Sequence, residues 1–97
     1  MSALIDLAIF PLDKGGSVSL YVSRAVRIIR DSGLSYKLGP MSTSIEGEWD
    51  EVMAAVNRCF HELAKDCDRI YLTIKVDYRK GTKGRITGKV KSVEEKL

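Results

Sequence analysis

The feature that most restricts the fold of this chain is its hydrophobic pattern, which changes from the two-residue period of a strand to the helical period of about 3.6 residues. Between Ile5 and Ile9 apolar residues alternate with other side chains, which is typical of a β-strand with one buried face. From Val18 to Ile29 apolar residues recur every three or four positions, which indicates an amphipathic helix. Strand and helix periods follow one another again in the second half. With 97 residues, the chain is expected to form a single domain, 1–97.

The first helix has predicted boundaries on both sides. Ser17 is the predicted N-cap, and Gly33 suits the left-handed position just after the helix end. Two short strand-like segments follow, at 34–38 and 41–46, with a Gly-Pro pair between them. This arrangement predicts a hairpin or a bent pair of strands.

A second helix is predicted from about Glu48 to Lys65, and acidic residues at its start complement the helix dipole. Its predicted apolar stripe comprises Trp49, Val52, Met53, Val56, Cys59, Phe60, Leu63 and Cys67. A strand follows, in which the predicted core residues are Ile70, Leu72, Ile74 and Val76. Residues 92–97 are predicted to add one or two final helical turns.

The element order is therefore βαββαβ, which is the split βαβ or ferredoxin-like plan of an α+β protein. In that plan an antiparallel sheet carries both helices on one face. The opposite face, called the open face below, is predicted to present Asp6, Ala8, Phe10, Tyr71, Thr73, Lys75 and Asp77. A mixed polar and aromatic face is seldom left bare, so we expect it to pack against a second subunit or to line a site.

The apolar runs, the start of the sequence and the two cysteines all bear on the cellular location. The longest apolar run, 3–12, is far shorter than the ~20 residues of a membrane span, so no membrane partner is expected. The start of the chain lacks the pattern of a secretory signal, which favours the cytoplasm. Cys59 and Cys67 lie too far apart along a helix to bridge each other, so we expect two unpaired thiols in a reducing compartment.

Positive charge is concentrated near the end of the chain, although the net charge is only +3. Six basic residues occur there with no acidic residue between them: Arg79, Lys80, Lys83, Arg85, Lys89 and Lys91. Together with nearby glycines they could bind phosphate or sulfate, or they could form a solvated loop. Nucleic-acid binding is disfavoured because no aromatic residue interleaves with these charges.

No catalytic constellation can be assembled from the sequence. The single histidine, His61, falls on the polar side of the second helix, so neither a nucleophile–histidine pair nor a multi-histidine metal site can be proposed. Residues 14–17 contain two glycines and could offer N–H groups to an anion, or they could form a turn. We therefore expect a protein that is not an enzyme and holds no cofactor or metal.

Hydroxyl and charged side chains on the predicted strands and at the start of the first helix suggest a small-molecule site. The predicted ligand-binding residues are Ser17, Ser19, Thr43, Glu46, Lys75, Asp77 and Arg79. Carboxylates in this set could accept hydrogen bonds from an amino group, hydroxyls could pair with ring nitrogens, and the arginine could meet an anion. An ion-paired sheet edge is the alternative for any one of them.

Several motifs in one order resemble a known family. They are SVSLYV at 17–22, PMSTSIEG at 40–47, WDEV at 49–52, IKVDYR at 74–79 and KVKSVEE at 89–95. Together they resemble the UPF0045 family, also called DUF77, of small thiamine-binding proteins. The resemblance implies a ferredoxin-like fold, homo-oligomers that pair through their sheets as dimers of dimers, and non-catalytic binding of thiamine or its hydroxymethylpyrimidine part.

Two departures from the family pattern affect the expected ligand. The segment 80–85 is basic where the family is usually more acidic, which favours a phosphorylated form if that loop lies beside the site. Ser42 replaces a common glycine and could narrow a pocket beside Thr43. Two other functions stay open: an anion-responsive regulatory protein, and a carboxylate-dependent enzyme that acts on thiamine precursors.

Overall fold

The computed structural model describes residues 2–81 and 83–97. Its elements are β1 (Ser2–Pro11), α1 (Ser19–Asp31), β2 (Ser35–Leu38), β3 (Thr43–Gly47), α2 (Trp49–Ala64), β4 (Ile70–Arg79) and α3 (Arg85–Glu94). The strands form one antiparallel sheet in the order β2-β3-β1-β4, and α1 and α2 pack against the same face. The predicted α+β, ferredoxin-like fold is confirmed, and α3 is an addition to it.

The register of β1 decides which side chains meet the helices. Ile5 pairs with Val76, and Leu7 pairs with both Ile74 and Thr43, so these residues share the helix-covered face. The buried core on this face includes Ile5, Leu7 and Ile9, as predicted. Val76 was predicted to join them, but it is 45% exposed because β4 is an edge strand that α2 covers only in part.

Helix α1 begins two residues later than Ser17. Its N-cap position is held by Val18, and no side chain caps its first turn, so the predicted N-cap is wrong. At the other end, Gly33 adopts a φ of +80°, as expected of a glycine that ends a helix. The hairpin between β2 and β3 is confirmed, with the Gly39 N–H donating to the Ser42 carbonyl at 2.9 Å.

Helix α2 agrees with its prediction to within a residue at each end. Val52, Val56, Cys59 and Leu63 are buried in the core, but Trp49 and Phe60 are about 40% exposed and lie outside it. The stripe is therefore narrower than the sequence indicated. Cys59 and Cys67 are both free and buried, as expected.

Helix α3 begins at Arg85, earlier than the predicted start at residue 92. Gly84 precedes it with a φ of +66°, and Gly88 lies inside it, so local propensity had obscured the helix. The six basic residues between positions 79 and 91 define a basic segment, and its second half, from Arg85 onwards, is thus helical rather than a loop. Within the part of the chain that the structure describes, no helix is both long and apolar enough to cross a membrane.

Candidate functional site

A cavity of about 300 Å³ lies between α1 and the sheet, and we call it the α1 cavity. Its walls come from the second half of β1, from the buried side of α1 and from the β2–β3 turn at 39–43. Leu7, Val22 and Ala25 make the lining largely apolar.

Thr43 places a polar group in this apolar lining. It pairs with Leu7 and Leu38 across the sheet, so its side chain points towards the helices, and the residue is only 5% exposed. Its hydroxyl makes no hydrogen bond to any residue in the ranges 2–81 and 83–97. The hydroxyl is not among the buried side-chain atoms of the described residues that lack a partner, so it is open to the cavity and available to hydrogen-bond a ligand.

Ser42 lies at the rim of the α1 cavity, but its hydroxyl is already engaged. Its Oγ donates a hydrogen bond of 2.5 Å to Oδ1 of Asp6 on the open face. Lys75, which was predicted to bind ligand, has its Nζ 3.8 Å from the other oxygen of Asp6. Lys75 therefore belongs to a polar group on the open face, away from Thr43.

Glu46 is buried at the opposite end of the sheet and is fully engaged within the chain. Its carboxylate accepts hydrogen bonds from the backbone N–H of Arg85, at 2.9 and 3.1 Å, and from the Ser2 hydroxyl at 2.9 Å. Burial raises the pKa of Glu46, but these hydrogen bonds, that of the Ile86 N–H and the Arg85 charge outweigh it, so the pKa lies below its usual value. The side chain of Glu46, on β3, thus acts as the N-terminal cap of α3.

Asp77, on β4, also contacts α3 through ion pairs with Arg85 and Lys89. The Arg85 guanidinium lies 3.2 Å from an Asp77 oxygen and donates to the backbone oxygens of Ser2 and Asp77 at 2.9 and 2.6 Å. Lys89 also donates to the Asp77 side chain, and this bond, with the charges of both cations, lowers the pKa of Asp77 despite some desolvation. Asp77 and Glu46 together fasten α3 to the sheet.

The seven predicted ligand-binding residues therefore do not form one site. Glu46, Asp77 and Arg79 lie at the end of the sheet where β1 begins, since Arg79 pairs with Ser2. The α1 cavity is lined by residues 7–10 of β1, roughly 15–25 Å further along the strand at ~3.3 Å per residue. Arg79, the first residue of the basic segment, is consequently remote from the cavity.

Three predicted residues remain near the cavity. Thr43 lines it. Ser17 is exposed in the loop and immediately precedes Val18, which also lines the cavity. Ser19 lines a separate groove on the other side of α1. The residues that sequence reasoning missed are Val18 and Val22, whose apolar stripe indicated only a core. Both residues line the cavity, and no motif signals this role.

The fold and this cavity define a class: a small ferredoxin-like protein with a ligand-sized apolar space under its first helix. Residues 5–94 match the sequence profile of the thiamine-binding protein family, and the chain belongs to that family. The resemblance to UPF0045 is confirmed as well, since a UPF0045 protein of Mycobacterium bovis is 42% identical over 98 residues, covering 100% of this chain and 96% of the relative.

Solved structures support the same assignment. A protein of Methanocaldococcus jannaschii has a TM-score of 0.88 and 32% identity, with 97% of each chain covered. A candidate thiamine biosynthesis or salvage protein of Thermotoga maritima has a TM-score of 0.84 and 27% identity, covering 96% of this chain and 99% of that one. A DUF77 domain from Bacillus cereus is similar too, with a TM-score of 0.82, 27% identity and coverage of 93% and 88%.

Proposed function

We propose that this chain binds thiamine, or the hydroxymethylpyrimidine part of thiamine, in the α1 cavity and releases it chemically unchanged. The family and the description of the Thermotoga neighbour support the identity of the ligand. The observation that carries the proposal is the hydroxyl of Thr43, which has no hydrogen-bond partner among the described residues and opens into an apolar cavity of about 300 Å³. Cavities of a few hundred cubic ångströms with few polar groups are typical of small-molecule sites.

The chemistry of an aminopyrimidine suits this lining. A hydroxyl both donates and accepts, so Thr43 can donate to a ring nitrogen or accept from the exocyclic amino group. Leu7 and Val22 on opposite walls supply apolar contacts for the two faces of a flat ring. One polar anchor between apolar walls fixes the orientation of the ring.

The position of the buried Glu46 carboxylate supports binding of the ligand without a chemical reaction. Glu46, the residue on which an enzyme acting on thiamine precursors would depend, is held by Ser2 and by the backbone of Arg85. It lies on the open face with Leu4, whereas Thr43 faces the helices. A general acid or base at Glu46 would be out of reach of a ligand bound at Thr43.

Calorimetric titration of the ligand-stripped protein with thiamine and with hydroxymethylpyrimidine tests the proposal. We expect micromolar or tighter binding, about tenfold weaker in Thr43→Val because one hydrogen bond is lost. Val22→Phe, which fills the cavity, should abolish binding. The matched controls Thr87→Val and Val93→Phe, both on α3, should bind as the parent does. No heat from either ligand would overturn the proposal.

Assembly through the open face is a second part of the proposal. Phe10 and Tyr71 stack there with ring centroids 5.3 Å apart, and Tyr71 is 49% exposed. A second copy would cover these rings, and two such pairs would give a dimer of dimers. Light scattering at micromolar concentration tests this, with Tyr71→Glu expected to dissociate the pair. A monomeric parent protein would contradict it.

An anion-responsive role for the segment 79–84 receives less support. The first backbone N–H groups of α3, at Arg85 and Ile86, are already hydrogen-bonded to the carboxylate of Glu46, so they are not available to phosphate or sulfate. We retain the cytoplasm as the proposed location, since two free buried thiols suit a reducing compartment.

A further inference from the structure

A groove of about 450 Å³ runs along the outer side of α1, with β2 as its second wall, and we call it the α1–β2 groove. One row of the helix lines it with Ser19, Ser23 and Arg27, which are spaced four residues apart and therefore lie in line. The row spans roughly 12 Å at 1.5 Å per residue. Tyr36 and Leu38 of β2 form the opposite side.

The groove is positively charged. Arg27 and Arg30 both line it, and none of its lining residues in the ranges 2–81 and 83–97 is acidic. Arg27 is exposed and has no ion-pair or hydrogen-bond partner among the described residues, whereas Arg30 donates from Nε to Asp31 at 3.0 Å. Arg27 is therefore the cation whose charge is most available to a ligand.

The groove adjoins the α1 cavity. Val22, Val26 and Leu38 line both, so these three apolar side chains form the boundary between the two spaces. A molecule with its ring against Thr43 could extend past these residues into the groove. Only apolar groups stand between the proposed ring site and the row of Ser19, Ser23 and Arg27.

The start of α1 adds to the positive potential near this junction. No side chain caps the helix at Val18, and its first turn carries no acidic residue. The positive end of the helix dipole is therefore not neutralised within the described residues, and it favours an anion nearby. The free hydroxyl of Ser19 can donate to the same anion.

We propose that the α1–β2 groove binds the phosphate end of a phosphorylated ligand whose ring occupies the α1 cavity, with Arg27 as the principal cation. This inference rests on the proposed function and specifies its ligand class: a phosphate or diphosphate ester of the thiamine type. Phosphate selectivity then originates in α1, whereas Arg79, the first residue of the basic segment, lies at the other end of the sheet.

Titration with thiamine, thiamine phosphate, thiamine diphosphate and inorganic pyrophosphate tests the inference in the parent protein and in Arg27→Gln. We expect the diphosphate ester to bind at least about tenfold more tightly than thiamine, because an arginine–phosphate contact is a charge-assisted hydrogen bond. The Arg27→Gln variant should lose that advantage and bind thiamine as the parent does. The control Arg58→Gln removes an exposed arginine of α2 and should change neither affinity.

The outcomes separate the two proposals. Equal affinity for thiamine and its phosphates, or a preference that survives Arg27→Gln, would overturn the groove and leave the proposed function standing. Pyrophosphate binding that Arg27→Gln abolishes, without binding of thiamine, would keep the groove as an anion site and overturn the proposed function. Raising the salt concentration should weaken the diphosphate ester more than thiamine, and an unchanged ratio would count against an ionic contact.

Discussion

The carboxylate of Glu46 accepts hydrogen bonds from the backbone N–H of Arg85, a residue 39 positions later in the chain. The side chain of Arg85 in turn donates to the backbone oxygens of Ser2 and Asp77. A strand residue thus supplies the N-terminal cap that α3 lacks in its own sequence. The attachment of α3 depends on this reciprocal pair.

We expect Glu46→Gln to lower the free energy of unfolding by about 2 kcal/mol, because the amide removes the charged acceptor of the Arg85 N–H and one of the two carboxylates beside the buried guanidinium. Urea denaturation measures the change. Glu94→Gln, on the exposed side of α3, is the matched control and should change stability little. Equal stability of both variants would show that the pair does not hold α3.

The same residue predicts a pH dependence. The pKa of Glu46 is lower in the folded chain than in the unfolded chain, so its stabilising contribution is present above its unfolded pKa of about 4.3 and disappears as the pH falls through the folded value. Urea midpoints between pH 7 and pH 3 should therefore fall less steeply in Glu46→Gln than in the parent. A residual slope is expected, because other carboxyl groups also have lowered pKa values: Asp13, Glu62, Asp66 and Asp77.

Thr43→Val should not destabilise the ligand-free protein. The hydroxyl has no partner among the described residues, so replacing it by a methyl group of similar size removes a polar group from the wall of an apolar cavity without breaking a hydrogen bond. We expect a change between zero and about 1 kcal/mol in favour of folding. A loss of stability on urea denaturation would mean that the hydroxyl is engaged within the folded chain.

Arg24 links the two helices that cover the sheet. Its guanidinium donates to the Glu62 carboxylate at 3.1 Å, to both oxygens of Asp66 at 2.9 Å and to the Glu62 backbone oxygen at 2.8 Å. Lysine cannot reproduce this fork, so Arg24→Lys should lower the urea midpoint. Arg58→Lys on α2 is the control, and an equal shift in both would contradict a specific link.

Both cysteines should react slowly with thiol reagents while the chain is folded. Burial raises the pKa of Cys59 to about 11, and burial with the nearby Asp66 charge raises that of Cys67. At pH 8 the thiolate fraction of Cys59 should be roughly a hundredfold below that of a free cysteine. Labelling of the native and the urea-unfolded protein measures this, and fast labelling of the native form would contradict the burial.

The alternation in β1 and the helical period of α2 were sufficient to predict the sheet and its two covering helices, because both patterns report on neighbours within a few residues. Thr43 was also predicted as a candidate, since it is a hydroxyl residue on a strand that follows the Gly39-Pro40 turn. The partner of Glu46 could not be found in this way, because only the strand register and the fold bring Arg85 to it.

The α1 cavity illustrates a second limit. Val22 was correctly predicted to lie on the apolar side of α1, and Val18 immediately precedes that helix, but an apolar stripe has the same pattern whether it meets other side chains or a void. The way α1 packs against the sheet and the β2–β3 turn decides between these outcomes. Sequence periodicity contains no information on unfilled volume.

Thr43 and Ser44 are adjacent in the chain, yet the first faces the helices and the second the open face. The proposed ligand space and the proposed subunit contact are therefore encoded by interleaved residues of the same strands: in β1 and β3 the odd positions face the helices and the even positions face the other side. Substitutions can alter one surface and leave the other intact. A single-residue insertion in β1 or β3 would exchange the two rows, so these strands can vary in composition but not in length.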